Sequence, residues 1–202
     1  MLTVGLTGGI ATGKSYVLER FRRLGAACLD ADGLAHGVMA AGTEASQAIA
    51  ARFGADMLDR AGAVDRKRLG PVVFADPEAR RDLEAIVHPA VRRAIAAGLR
   101  AFELMGSRVA IVDIPLLYET KGETRFTRVI ATVCAPETQV ARLIARGLSE
   151  AEARQRLAAQ LPAEEKAVRA DFVIRTDGSF DETDGQVAEI WRQLEFASAE
   201  TG

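Results

Sequence analysis

The chain has 202 residues, of which 49% are hydrophobic, and a formal net charge of −2. Length and apolar content suit one domain with a sizeable core. The near-neutral charge excludes a global attraction to nucleic acid or to an anionic membrane, so any anion site must be built locally. No apolar run is long enough to span a bilayer and no signal peptide precedes the first apolar stretch, so a soluble cytoplasmic protein is expected.

Leu2-Thr3-Val4-Gly5-Leu6-Thr7 reads as a buried strand. Gly8-Gly9-Ile10-Ala11-Thr12-Gly13-Lys14-Ser15 follows, and Val17, Leu18, Phe21 and Leu24 then recur at helical spacing. Gly-x-x-x-x-Gly-Lys-Ser between a strand and a helix is the context of a phosphate-binding loop. Glycines at 8, 9 and 13 let the backbone take positive φ and approach an anion closely. Successive amides through Ala11, Thr12, Gly13, Lys14, Ser15 and Tyr16 then form a nest, and the helix adds its unpaired N–H groups. Lys14 would reach the β- and γ-phosphates of ATP, and the Ser15 hydroxyl would ligate Mg²⁺. The competing reading is a Gly-rich turn before an ordinary helix. Lysine is scarce, four residues against 22 arginines, so the loop lysine is no accident of composition.

The first helix is expected from Lys14 to Leu24, stopped by Gly25. Ala26-Ala27-Cys28-Leu29 reads as a second strand ending in Asp30-Ala31-Asp32. Ligands of open α/β sheets sit beyond the carboxyl ends of the strands, which makes Asp32 the candidate to orient or deprotonate an acceptor hydroxyl. The alternative reading is that Asp30 and Asp32 cap the next helix.

From Gly33 to about Gly106 the pattern is helical, with stripes at Ala45, Ile49 and Phe53, then Leu69, Val72 and Val73, then Leu83, Ile86 and Val87. Asp76-Pro77 marks a helix start, and His88-Pro89 is expected to interrupt the helix before Val91, Ile95, Leu99 and Phe102 resume it. His88 is either a structural hydrogen-bonding group or a substrate contact. Val109 to Asp113 and Val129 to Cys134 read as buried strands. Asp113, at a strand end, either holds a metal-bound water or caps the next turn.

Ala135-Pro136-Glu137 starts a helix on which Arg142 and Arg146 share a face at i, i+4. There they either reach the transferred phosphate from a closing lid or stay solvated. Ser149 with Glu152 resembles a capping box. Phe172-Val173-Ile174 is a fifth strand, Asp177-Gly178 a turn, and Val187, Ile190, Trp191 and Leu194 line a last helix, with the tail after Phe196 expected to fray. Cys28 and Cys134 fall on separate predicted strands with no metal-ligand spacing and read as buried thiols. Continuous apolar strands alternating with helices predict an α/β fold, a five-stranded parallel sheet flanked by helices.

Together these blocks resemble the dephospho-CoA kinase family from Leu2 to about Val187. The opening Gly5 to Ser15 is similar to the family's, as are Leu29-Asp30-Ala31-Asp32, the run Asp65-Arg66, Leu69-Gly70, Val73-Phe74 and Ile86-Val87-His88-Pro89, and the segment Asp113 to Glu119. Arg156 to Gln160, Glu164-Glu165-Lys166 and Ala170 to Ile174 match its lid and last strand. The resemblance implies a P-loop kinase with its core at about 1–33, 107–135 and 169–197, a helical CoA-binding insert at about 34–106 and a lid at about 136–168. It implies Asp32 as the base, and a substrate-side loop through Pro115, Leu116, Tyr118 and Glu119. The implied reaction moves the γ-phosphate of ATP to the ribose 3′-hydroxyl of dephospho-CoA, with Mg²⁺.

Ala11-Thr12 stand where the family has Gly-Ser, and Tyr16 where Thr is usual, with its amide still available to the α-phosphate. The expected partners are the two small substrates, with neither nucleic acid nor membrane, and a monomer is expected.

The rival kinase reading is a nucleoside monophosphate kinase, which the long insert and His88-Pro89 disfavour. A regulatory GTPase would need an Asn-Lys-x-Asp element, and the chain has no asparagine. A DNA-binding module is disfavoured because basic residues alternate with acids.

Overall fold

The computed structural model describes residues 1–200. Five strands, β1 (Leu2–Gly8), β2 (Ala27–Asp30), β3 (Val109–Asp113), β4 (Arg128–Val133) and β5 (Phe172–Arg175), form one parallel sheet in the order β2-β3-β1-β4-β5. The register pairs Leu6 with Asp113 on one side of β1, and Gly8 with Thr132 on the other. Sequence order therefore reverses direction at β1, and ligands of such sheets bind at the carboxyl edge of this switch point. The phosphate loop leaves β1 at that edge.

Side chains alternate across the sheet. Val4 and Leu6 of β1, Ile111, Ile130 and Ile174 face α1 (Lys14–Arg23) and α9 (Phe180–Glu200), which contribute Val17, Phe21, Val187, Ile190 and Leu194 to the main core. α1 is amphipathic, so its Val17, Leu18 and Phe21 stripe is buried while Arg22 and Arg23 pair with Glu19 on the outer face. The opposite face of the sheet carries Thr3, Gly5 and Thr7. A Cβ at Gly5 would lie 2.9 Å from Leu117 and 3.1 Å from Phe126, so glycine lets the segment after β3 lie flat on the sheet. Tyr118, Leu117 and Val129 form a satellite core there, and α8 (Ala163–Arg169) adds Ala163 and Ala167 against Val133. α6 (Pro136–Ala145) and α7 (Glu150–Ala158) pack through Val140, Leu143 and Ala153 against Ala11 of the loop. Ser149 and Glu152 do form a reciprocal capping box on α7, and Glu152 is held below the usual carboxylate range by the Ser149 hydroxyl and amide.

The chain divides into two compact units: residues 1–29 with those from 101 onward, and residues 30–100. The second unit is helical, with α2 (Ala31–Val38), α3 (Glu44–Phe53), α4 (Arg66–Ala75) and most of α5 (Pro77–Leu104). Its core joins Met39, Ile49, Val64 and Leu69 to Leu83, Ile86 and Val87. Ion pairs Arg52–Asp82 and Arg93–Glu44 tie α3 to α5 on the surface.

Three sequence expectations are corrected. α5 runs unbroken through His88-Pro89, with Pro89 inside the helix. Proline removes one backbone hydrogen bond and costs ~3 kcal/mol in a helix interior. Packing of Leu83, Ile86 and Val87 before it, and burial of Ala90 after it, offset that cost. The last helix continues past Phe196 to Glu200. Cys28 is half-buried on β2, and Cys134 lies just beyond β4. Burial pushes the Cys28 thiol up to about 11 and also raises that of Cys134, so both are protonated thiols near neutral pH.

Candidate active site

The phosphate loop is shaped from outside. The Thr12 hydroxyl and amide both donate to Gly9 O, at 2.8 and 3.3 Å. Gln139 Nε2 donates to Ile10 O at 2.6 Å, Arg142 Nη1 to Ala11 O at 3.1 Å, and Thr176 Oγ1 to Thr12 O at 2.9 Å. Three consecutive carbonyls, those of Ile10, Ala11 and Thr12, are thus held from outside the loop. In a trans peptide the following N–H points the opposite way, so the amides turn toward the inside of the loop. Among the described residues, the amides of Ala11, Gly13, Lys14, Ser15 and Tyr16 meet no protein acceptor. A nest of such amides at a helix N-terminus is an anion site. The Ile10 amide differs: it donates to Gln160 Oε1 at 2.9 Å, from the segment following α7.

Backbone conformation fits that curvature. Gly13 caps α1 at φ 85°, and Ala11 takes φ 60° although it is not glycine. The left-handed region costs a non-glycine residue ~1–2 kcal/mol. Here the Ala11 methyl is buried against Val140, Leu143 and Ala153, which offsets part of that cost. A Cβ at Gly8 would run into Thr132 Oγ1 and stand 2.6 Å from Thr132 O, so that position admits only glycine. Gly9 is nearly as tight, with Gln139 Nε2 at 2.7 Å from a built Cβ.

Lys14 Nζ lies 3.6 Å from Asp113 Oδ1, both side chains largely buried. Register alone explains the contact, because Asp113 ends the strand beside β1 while Lys14 opens the helix leaving it. Ser15 sits in the first turn of α1. Its hydroxyl and the Asp113 carboxylate are hard oxygen donors, the set that suits Mg²⁺, an ion that keeps several of its own waters. Among the described residues no three His, Cys, Asp or Glu side chains form a metal cage. The donor set therefore fits a Mg²⁺ carried in with a polyphosphate.

The segment after β3 is fastened by a lysine that sequence reasoning left inside a motif block. Lys166 of α8 has no exposed surface, and its ammonium donates to Pro115 O and pairs with Glu119 Oε1, both at 2.8 Å. Thr7 Oγ1 donates to the same Pro115 carbonyl at 3.2 Å, and Leu161 N to the same carboxylate oxygen at 3.1 Å. Burial lowers the Lys166 pKa, Glu119 opposes that shift, and the Lys14 charge adds to it. The sequence signals for Lys166 are its place in the Glu164-Glu165-Lys166 block and its rarity as one of four lysines.

Of the other predicted site residues, Leu116 is exposed, whereas Tyr118 is buried beneath the Arg169 guanidinium, 4.1 Å from its ring. Arg142 is committed to the loop and its neighbour: besides Ala11 O it donates to Thr176 Oγ1 at 3.1 Å and to Thr176 O at 2.5 Å. Arg146 caps α6 and is exposed. Asp30 is the N-cap of α2, its Oδ1 accepting from the Asp32 amide at 3.0 Å. The Asp32 carboxylate, in the first turn, is therefore not the cap and is exposed. His88 is exposed on α5 and lines a cleft of about 290 Å³ with Met39, Arg66, Leu69, Val73 and Val87. Arg66 Nη1 there lies 3.2 Å from His36 Nδ1. A second cleft, of about 360 Å³, runs beside Gly9 and Ile10 between Gln139, Arg154 and Gln160.

A family model described as dephospho-CoA kinase matches residues 2–182. The chain belongs to the dephospho-CoA kinase family. Dephospho-CoA kinase of Symbiobacterium thermophilum is 46% identical over 95% of this chain and 81% of its own length. The Geobacter sulfurreducens enzyme of the same name is 46% identical over 95% of this chain and 98% of its own. A crystal structure from Thermus thermophilus superposes with a TM-score of 0.77 at 33% identity, covering 96% of this chain and 97% of that one. The protein is accordingly a kinase of the P-loop class, and the nucleoside monophosphate kinase alternative is not favoured.

Proposed function

We propose that this enzyme transfers the γ-phosphate of ATP to the ribose 3′-hydroxyl of dephospho-CoA, yielding coenzyme A and ADP. The observation that carries the reading is the row of inward amides at Ala11 and Gly13 to Tyr16, which has no acceptor in the protein and matches a polyphosphate. Gly8 and Gly9 let the loop lie close against Thr132 and Gln139, and Thr12 holds its curve. Lys14 spreads positive charge over the β- and γ-phosphates as the phosphoryl group moves. Ser15 and Asp113 would hold Mg²⁺, which neutralises phosphate charge when bound.

Asp32 aims the 3′-hydroxyl and takes its proton, with residues 30–100 housing the acceptor and His88 contacting it. Pro115, Leu116, Tyr118 and Glu119 form the substrate-side segment, whose shape Lys166 maintains. Arg142 sets the loop, and Arg146 reaches the phosphate from a lid over about 136–168. No helix among the described residues is long and apolar enough to cross a membrane, in keeping with a cytoplasmic enzyme of small substrates.

The test offers Mg·ATP with dephospho-CoA beside the common nucleoside monophosphates and follows ADP release, with the product's phosphate located by NMR. Transfer to the 3′-oxygen of dephospho-CoA alone is expected. Faster transfer to a monophosphate would overturn the assignment.

A further inference from the structure

Ile10 closes the nest at the end away from α1, and both of its backbone groups are held by side chains. Gln139 Nε2 donates to its carbonyl, and its amide donates to Gln160 Oε1 at 2.9 Å. The Ile10 side chain packs against the cluster of Ala11, Val140, Leu143 and Ala153. Gln160 lies in the turn between α7 and α8, at the end of the Arg156 to Gln160 block. Among the described residues its Nε2 meets no acceptor, so the Ile10 amide is what orients the carboxamide. The next residue bonds in the other direction. Leu161 N donates to Glu119 Oε1 at 3.1 Å, on the segment after β3. Lys166 links that carboxylate oxygen to Pro115 O, and Thr7 Oγ1 of β1 donates to the same Pro115 carbonyl. The bonds close a ring: phosphate loop, α7–α8 turn, segment after β3, and back to the strand that feeds the loop.

We propose that Gln160 is a positioning residue for phosphoryl transfer, holding the rim of the phosphate loop in register with the acceptor-side segment. The inference rests on the reading that ATP fills the loop and that Pro115 to Glu119 face the acceptor. With the α-phosphate on the Tyr16 amide, the terminal phosphoryl group is held toward the opposite end of the nest, where Ile10 stands. Gln160 and Leu161, adjacent in sequence, join that end to Glu119.

Loss of the Gln160 bond leaves the rest of the donor site in place. The amides of Ala11 and of Gly13 to Tyr16 remain open to phosphate, and Gln139, Arg142 and Thr176 still hold the loop from outside. Affinity for ATP therefore survives. What is lost is the alignment of the phosphoryl group with the hydroxyl that attacks it, and a misplacement of about 1 Å costs roughly 10²-fold in rate. Slow hydrolysis of ATP by water does not depend on the acceptor-side segment and is spared. Gln139 offers the contrast, because it holds the same residue from α6 and has no bond to that segment.

The experiment compares the wild type with Gln160→Met and Gln139→Leu. Gln160 borders the cleft of about 360 Å³ beside Gly9 and Ile10, so Met fits in its place while offering the Ile10 amide no oxygen. Transfer to dephospho-CoA is measured beside ATP hydrolysis without acceptor, and Tm is read by calorimetry. Gln160→Met is expected to lower kcat for transfer by about 10- to 100-fold. KM for ATP and the hydrolysis rate should stay within about twofold, and Tm within about 4 °C of wild type. Gln139→Leu is expected to raise KM for ATP several-fold and to slow transfer and hydrolysis by the same factor. A merely structural role for Gln160 would not change the ratio of transfer to hydrolysis. The proposal is overturned if Gln160→Met keeps kcat within twofold of wild type, if hydrolysis falls as far as transfer, or if the two variants show the same pattern. A wild-type protein that transfers nothing to dephospho-CoA would instead refute the proposed reaction itself, so the two failures are told apart.

Discussion

Replacing Arg142 with Met separates a residue that shapes the loop from one that touches the transferred phosphate. In this structure Arg142 donates to Ala11 O, Thr176 O and Thr176 Oγ1. Met keeps much of the apolar stem and removes these three bonds, along with a weak contact to Cys134 Sγ at 3.6 Å. Bonds from a charged donor contribute ~1.5–3 kcal/mol each when fully desolvated. Arg142 is only half-buried, so water can recover part of each and ~1 kcal/mol per bond is the better figure. The sum, about 3 kcal/mol, corresponds to a fall in Tm of roughly 6–12 °C for a chain of this size. The freed Ala11 carbonyl lets the loop rotate, so KM for ATP should rise several-fold. Differential scanning calorimetry beside steady-state kinetics measures both. A variant with wild-type Tm and wild-type KM for ATP, but kcat reduced by about 10³-fold, would refute the shaping role and place the guanidinium on the transferring phosphoryl group.

Asp32→Asn should slow single-turnover transfer by about 10²–10⁴-fold, the usual weight of a general base, while ATP binding by calorimetry stays within twofold; unchanged single-turnover rates would leave Asp32 without a chemical role. Lys166→Met removes the buried ammonium under Pro115 and Glu119. Breaking a fully buried pair costs ~3–5 kcal/mol, and because Glu119 is 23% exposed and keeps its bond from Leu161 N, the lower end is expected. The Lys166 pKa is lowered in the folded state, so the unfolded chain binds more protons between that value and the ordinary 10.5. Stability of the wild type relative to Lys166→Met should therefore rise with pH as pH 10.5 is approached, read from urea midpoints at pH 7 to 10. A difference that is flat or falls with pH would contradict burial of the charged ammonium.

Much of the fold was legible because its signals are local. A glycine-rich turn between an apolar strand and an amphipathic helix needs only the residues from Leu2 to Leu24, and the capping box at Ser149 and Glu152 needs four. The sheet followed from continuous apolar runs such as Val109 to Val112. What was not legible depends on residues far apart in the chain. The outward bonds that shape the loop come from Gln139, Arg142 and Thr176, between 129 and 164 residues away. Nothing near them in sequence marks Gln139 as a partner of Ile10. Pro89 was read by its local penalty, which packing on both sides of it outweighs. Lys166 reads as a surface residue by type; only the placement of α8 over Thr7 and Pro115 buries it. Arg142 and Arg146, spaced as equals on one helix, separate because α6 ends at Ala145 and carries one toward the loop and the other to solvent.

The direct test of the phosphate-loop reading is an amide NMR titration of the ¹⁵N-labelled protein with Mg·ATPγS. The amides of Ala11, Gly13, Lys14, Ser15 and Tyr16 should move downfield together as they gain phosphate acceptors, with the Lys14→Met variant showing weakened saturation. Nucleotide binding that leaves those five amides unmoved while shifting others would contradict the account.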